Sequence, residues 1–338
     1  MRCLTRFVVA SGAPPEWHLH VVGRHLAGVA AAVSTHGALS VVATVALGFS
    51  ASIVDAILPE LPAGHTAALA PHLRATFEAL TSSAAGPRPA DSDGSETVSS
   101  MLSLLRAVTS KSRMDMATAP STAAEDDAAA RGLAEAALAG MLAAAVWCNE
   151  ERLACPDIAL TAGSTLGSAV DEFSAQLVAA EAGVQRAIVL TLATGAKNPS
   201  EQVAVACVRA LTALVEALAL RQAPALSSLL AGLPAVALTR ALADFESAAL
   251  ASATGHLLVA SARALPAEVA AAFASLAGRS SDPGAARKIE LDAAAIARLF
   301  AEGARQPSTG PARRRASAHA AGAFADFCLR TGSLLATF

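Results

Sequence analysis

The sequence predicts an all-α protein, and three observations carry that prediction. Apolar residues recur at helical spacing in stretch after stretch: Val22, Leu26, Val29 and Val33 make one stripe, Leu69, Leu73, Phe77 and Leu80 another. Each stretch ends at a Pro, Gly or Ser cluster, which punctuates helices. Alanine and leucine, strong helix formers, dominate a 338-residue chain in which only 16% of residues are charged. Valine and isoleucine fall inside helical-period stretches and seldom alternate with polar residues, so little sheet is expected. Part of the alanine excess follows a GC-rich codon bias, since arginine far outnumbers lysine and tyrosine is absent.

Taken in order, the spacing predicts helices over residues 17–33, 38–58 and 66–82, with Pro71 in the first turns of the third. Residues 84–96 hold Pro87, Pro89, Asp91, Asp93 and Gly94 and read as a flexible loop. The acids Asp91, Asp93 and Glu96 lack the ligand spacing of a calcium loop. A short helix is expected at 98–110, with Met101, Leu102, Leu105 and Val108 inward. After a second loose segment, Ser121 and Thr122 precede Glu125, Asp126 and Asp127, so a long helix should start there and run to about residue 153. Further helices are expected at 164–182, 184–193, 200–221, 225–243, 245–262, 266–276, 285–302 and 318–336. Short links imply antiparallel neighbours.

The run Asn198-Pro199-Ser200-Glu201-Gln202-Val203, continuing through Ala204 and Val208 to Ala210-Leu211, resembles the turn and second helix of a HEAT repeat. Asn198 stands where that pattern has Asp, and Ala204 where it has Arg; Asp282-Pro283 gives a weaker echo. The resemblance implies antiparallel helix pairs stacked as a HEAT-like α-solenoid. By this reading residues 1–83 are N-terminal helical repeats and 84–124 flexible loops flanking a short helix. Residues 125–303 form the central HEAT-like array, 304–317 a basic linker and 318–338 a C-terminal helix.

Function follows only at the level of that resemblance. It implies a non-enzymatic protein-binding solenoid, either a nuclear transport receptor of the importin-β/exportin kind (or a fragment of one) or a scaffold subunit. Its partners would be other proteins, including the small GTPase Ran and cargo, in the cytoplasm or nucleus. Net charge is −3 with both signs scattered, so nucleic acid is not an expected partner. The alternative is an integral membrane protein using residues 26–54, from which Asp, Glu, Lys and Arg are missing until the segment has ended. His36, Gly37 and six hydroxyl residues interrupt that stretch, which favours the soluble reading. Arg2 and Arg6 in an acid-poor beginning leave organelle targeting by residues 1–15 open.

No cofactor or metal site is expected. His18, His20 and His25 do not share one helix face, and His256 lies in an apolar stretch without an acid at helical spacing. Cys3, Cys148, Cys155, Cys207 and Cys328 are odd in number and read as free, buried thiols. Ser164 reads as a helix N-cap. The one specific short signal is Arg313-Arg314-Arg315-Ala316-Ser317, similar to the recognition sequence of basophilic kinases. Ser317 is therefore the candidate phosphorylation site, Arg314 and Arg315 its recognition residues, with the phosphate expected at the start of the next helix.

Overall fold

The structure, a computed structural model, describes residues 15–38, 40–83, 94–117, 123–221, 224–276, 278, 282–305 and 311–336. Every regular element among them is helical, and there is no strand. By contacts the chain divides into two compact units, residues 1–176 and 177–338.

The first unit contains α1 (Pro15–His36), α2 (Val41–Ile57), a 3₁₀ turn (Leu58–Glu60), α3 (Ala63–Ser83), α4 (Ser95–Ala117), α5 (Ala123–Trp147), α6 (Glu150–Leu153) and most of α7 (Pro156–Ala179). Gly37, at φ +80°, makes the turn after α1. Ser40 then caps α2, its Oγ accepting from the Ala43 N–H at 3.2 Å. Thr97 ties α4 to this corner, donating to the Ala38 carbonyl at 3.2 Å and pairing with Thr44 at 3.1 Å. Lys111 is 3% exposed, and its ammonium donates to the Leu61 carbonyl at 2.6 Å, which fixes the corner after the 3₁₀ turn. Trp147 donates to the Leu80 carbonyl at 2.9 Å, and the Arg152 guanidinium lies over its ring.

Packing in this unit skips every second helix. α1 lies against α3 and α3 against α5, while α2 lies against α4, so the helices form two layers. The predicted stripe of Leu69, Leu73, Phe77 and Leu80 is buried in the seam, each side chain contributing roughly 1.5–3 kcal/mol. Small residues allow the closest approach. A Cβ on Gly132 would meet Ala70 at 2.9 Å, and one on Gly140 would meet Leu105 and Phe77 at 3.0–3.1 Å.

The second unit follows α7 with α8 (Ala182–Ala196), α9 (Glu201–Arg221), α10 (Pro224–Leu230), α11 (Leu233–Ala243), α12 (Ala248–Ala264), α13 (Pro266–Ala274), α14 (Pro283–Arg305) and α15 (Pro311–Ala336). Its order is different. α12 touches α9, α11, α13, α14 and α15, and is a central post. Its sequence suits that place: Leu250, Ala251, Ala253, Gly255, Leu257, Leu258, Val259 and Ala260 leave no wholly polar face. Around it Phe273, Phe300, Phe324 and Phe327 form an aromatic cluster, with centroids 5.7 Å apart for the first pair and 5.8 Å for Phe300 and Phe324.

Several boundaries differ from expectation, and prolines explain most of them. The helix expected to run to about residue 153 stops at Trp147, and the one expected from 164 begins already at Pro156; a proline is at home in a first turn because the missing N–H has no partner there. Ser164 consequently sits inside α7, donating to the Thr161 carbonyl at 3.1 Å. α14 runs to Arg305 and Pro311 begins α15, so nine of the fourteen residues of the expected 304–317 linker are helical. Pro71 lies further inside α3 than expected because that helix starts at Ala63. The helix in 84–124 extends over Ser95–Ala117, and the single helix expected over 225–243 is broken at Ala231 and Gly232. The expected cap at Ser121 and Thr122, and Asp91 and Asp93, lie outside the described residues.

At the turn before α9, Asn198 Oδ1 accepts from the Ser200 N–H at 2.9 Å, as an Asx turn should. Arg240 of α11 donates to the Asn198 and Pro199 carbonyls of this turn at 3.3 and 3.5 Å.

Candidate functional site

Each unit presents one candidate surface. In the first it is the outward side of α2. Val41 is 80% exposed, Val42 62% and Val45 49%, three branched apolar side chains within two turns. No charged residue joins them until Asp55. Scattered exposed valines are ordinary, whereas a cluster on one helix face leaves apolar area in water that a second surface would cover favourably.

Among the described residues, four segments are long and apolar enough to cross a membrane by length and composition: Val41–Glu60, Asp126–Trp147, Glu201–Arg221 and Leu226–Ala243. Their exposed sides distinguish them. α5 turns Asp127, Arg131 and Glu135 outward, and α9 turns Glu201, Arg209, Glu216 and Arg221 outward. The fourth segment is interrupted by the turn between α10 and α11. Of the four, only α2 shows a cluster of large apolar side chains.

In the second unit the candidate is a cleft of about 480 Å³ where α9, α12, α13 and α14 meet. Glu216, Leu220, Arg263, Pro266, Ala301 and Arg305 line it, and its size is within the range of small-molecule sites. Arg263 spends its guanidinium on the end of α14, donating to the Gly303 carbonyl at 2.8 Å and the Ala304 carbonyl at 3.1 Å. That satisfies carbonyls a helix end leaves open and sets positive charge against the dipole.

One turn before the cleft on α12, His256 Nδ1 lies 3.0 Å from Ser317 Oγ of α15. Burial lowers the His256 pKa; Glu216 opposes that shift and Arg209 adds to it. The imidazole is therefore neutral near pH 7 and able to share a hydrogen bond with the hydroxyl. A serine, a histidine and a carboxylate in one neighbourhood resemble the parts of a nucleophilic site. Ser317, however, occupies the second turn of α15, where backbone N–H groups are already used by the helix and cannot receive an oxyanion. The pair is a tie between two helices.

The remaining candidates are placed as follows. Arg315 is exposed, and the side chains of Arg313 and Arg314 lie outside the described residues. Because α15 starts at Pro311, Ser317 stands beyond the first turn, and the helix-dipole benefit expected for a phosphate there does not apply. His20 is exposed, while His25 is half-buried edge-on to Phe49 at 4.9 Å, its pKa lowered by burial; the His18 side chain and Cys3 lie outside the described residues. Cys148, Cys207 and Cys328 are buried and outside any disulfide, and burial pushes the Cys148 and Cys328 thiols up to about 12. Cys155 is exposed, contrary to expectation, because it falls in the break between α6 and α7. The valine face, the cleft and the His256–Ser317 pair had no signal in the sequence. Each depends on which residues the tertiary packing leaves out or brings together.

Compared with protein-family models, curated proteins and solved structures, the chain matches none.

Proposed function

We propose that the chain is a non-enzymatic, water-soluble scaffold that binds another protein through the outward face of α2, with residues 15–176 stacked in the manner of a HEAT-like solenoid. The observation that carries this reading is the exposed cluster Val41, Val42 and Val45 on an outer-layer helix. Support for the stacking comes from the alternate-helix layering of α1, α3 and α5 against α2 and α4, the nearest-neighbour packing of repeat proteins. Solubility is supported by the charged outward sides of α5 and α9, which lipid would not tolerate. The partner's matching surface is an uncharged apolar helix or groove, since α2 offers no charge near the valines.

A double Val41→Asp, Val45→Asp variant tests it. Both positions are exposed, so folding should change by no more than about 0.5 kcal/mol. Quantitative affinity purification from the native cells, wild type beside variant, should show a partner lost with the substitution. Ran loaded with GTP among the lost proteins would narrow the scaffold to a transport receptor. An identical partner list for both proteins, or a wild-type chain that stays in the membrane pellet after carbonate extraction, would overturn the reading.

A further inference from the structure

The Arg-Arg-Arg-Ala-Ser run and the tie between α12 and α15 converge on one atom, Ser317 Oγ. We propose that Ser317 is a phosphorylation site for a kinase that reads Arg-Arg-x-Ser, and that its phosphate clamps the start of α15 onto α12 through His256. This inference does not rest on the scaffold reading.

Access comes first. A kinase takes its substrate in extended form, and Ser317 is helical. It stands in the second turn of α15, however, and helix ends fray at low cost. The hydroxyl is half-buried, not enclosed, and Arg315 and Ala318 on either side of it are exposed. In the transfer, Ser317 Oγ attacks the γ-phosphorus of ATP and the bond to the bridging oxygen breaks. The hydroxyl proton passes to the kinase's base, and ADP leaves.

Local charge decides what the phosphate then does. The unmodified tie is a neutral hydrogen bond, weak in net terms because both groups could bond to water instead. A dianion beside His256 favours the imidazolium, the opposite direction to the present effect of burial. Arg209 supplies a second positive charge near the ring, and Glu216 one negative charge that opposes the clamp. With an imidazolium in place the protein groups are net positive, so the phosphate exchanges a neutral contact for a charge-assisted one.

The test uses the full chain, ATP and the catalytic subunit of cyclic-AMP-dependent protein kinase, with intact-mass detection. One phosphate should be added to the wild type and none to Ser317→Ala. In the phosphorylated protein the NMR titration midpoint of His256 should rise by about one pH unit or more. Amide exchange over residues 311–321 should slow, and His256→Gln should abolish that slowing. No incorporation, incorporation that persists in Ser317→Ala, an unmoved His256 midpoint, or faster exchange over 311–321 would each overturn the proposal.

Discussion

Residues 1–176 and 177–338 are built from the same alanine- and leucine-rich helices, yet they hold together in different ways. In the first unit helices two apart along the chain pack together, α1 on α3 on α5 and α2 on α4, and two layers accumulate. In the second, α12 is shared by five others. Damage to a layered stack should stay near its origin, because no helix is common to all the contacts. A central post gives no such isolation.

The largest effects should come from the cores. Phe324→Ala and Phe77→Ala both remove a fully buried ring and should each cost about 3–5 kcal/mol. Hydrogen exchange should distinguish them: Phe324→Ala should expose every helix from α9 to α15 together, whereas Phe77→Ala should spare α2. Equal spread in both would break the contrast.

Glycines sharpen it further. A Cβ on Gly255 would lie 2.8 Å from the Ala321 Cα, so Gly255→Ala should destabilise by about 1–3 kcal/mol in urea denaturation. Gly28, on the exposed side of α1, has nothing within 4 Å, and Gly28→Ala should stabilise by about 0.5–1 kcal/mol. Lys111→Met tests the corner of the first unit. It leaves the Leu61 carbonyl without its 2.6 Å donor and should cost about 1–3 kcal/mol.

The smallest effect is one of pH. His25 and His256, one in each unit, both have pKa values lowered by burial. A lowered pKa means the folded state releases its proton more readily than the unfolded chain. Each histidine's contribution is thus complete above about pH 6.5 and is lost as pH falls through the folded value. Thermal melts at pH 7 and pH 5 should show acid loss in the wild type, reduced in His25→Gln and in His256→Gln.

Helical class and core stripes were legible in the sequence because periodicity reports burial directly; Val22, Leu26, Val29 and Val33 are all buried as their spacing implied. Helix starts were less legible, since a proline both stops one helix and opens the next: the helix expected from 164 opens at Pro156, and the linker expected over 304–317 turns helical at Pro311. The partner of His256 was invisible because Ser317 lies 61 residues away, beyond any spacing rule for one helix. The exposed face of α2 was invisible too, since composition cannot say which side of an apolar helix lacks a neighbour.

The crossing of α12 and α15 also constrains descent. Gly255 and Ala321 touch so closely that neither can grow unless the backbones part. Any lineage carrying this unit should therefore keep a tiny residue at both positions, and the two should drift together or not at all.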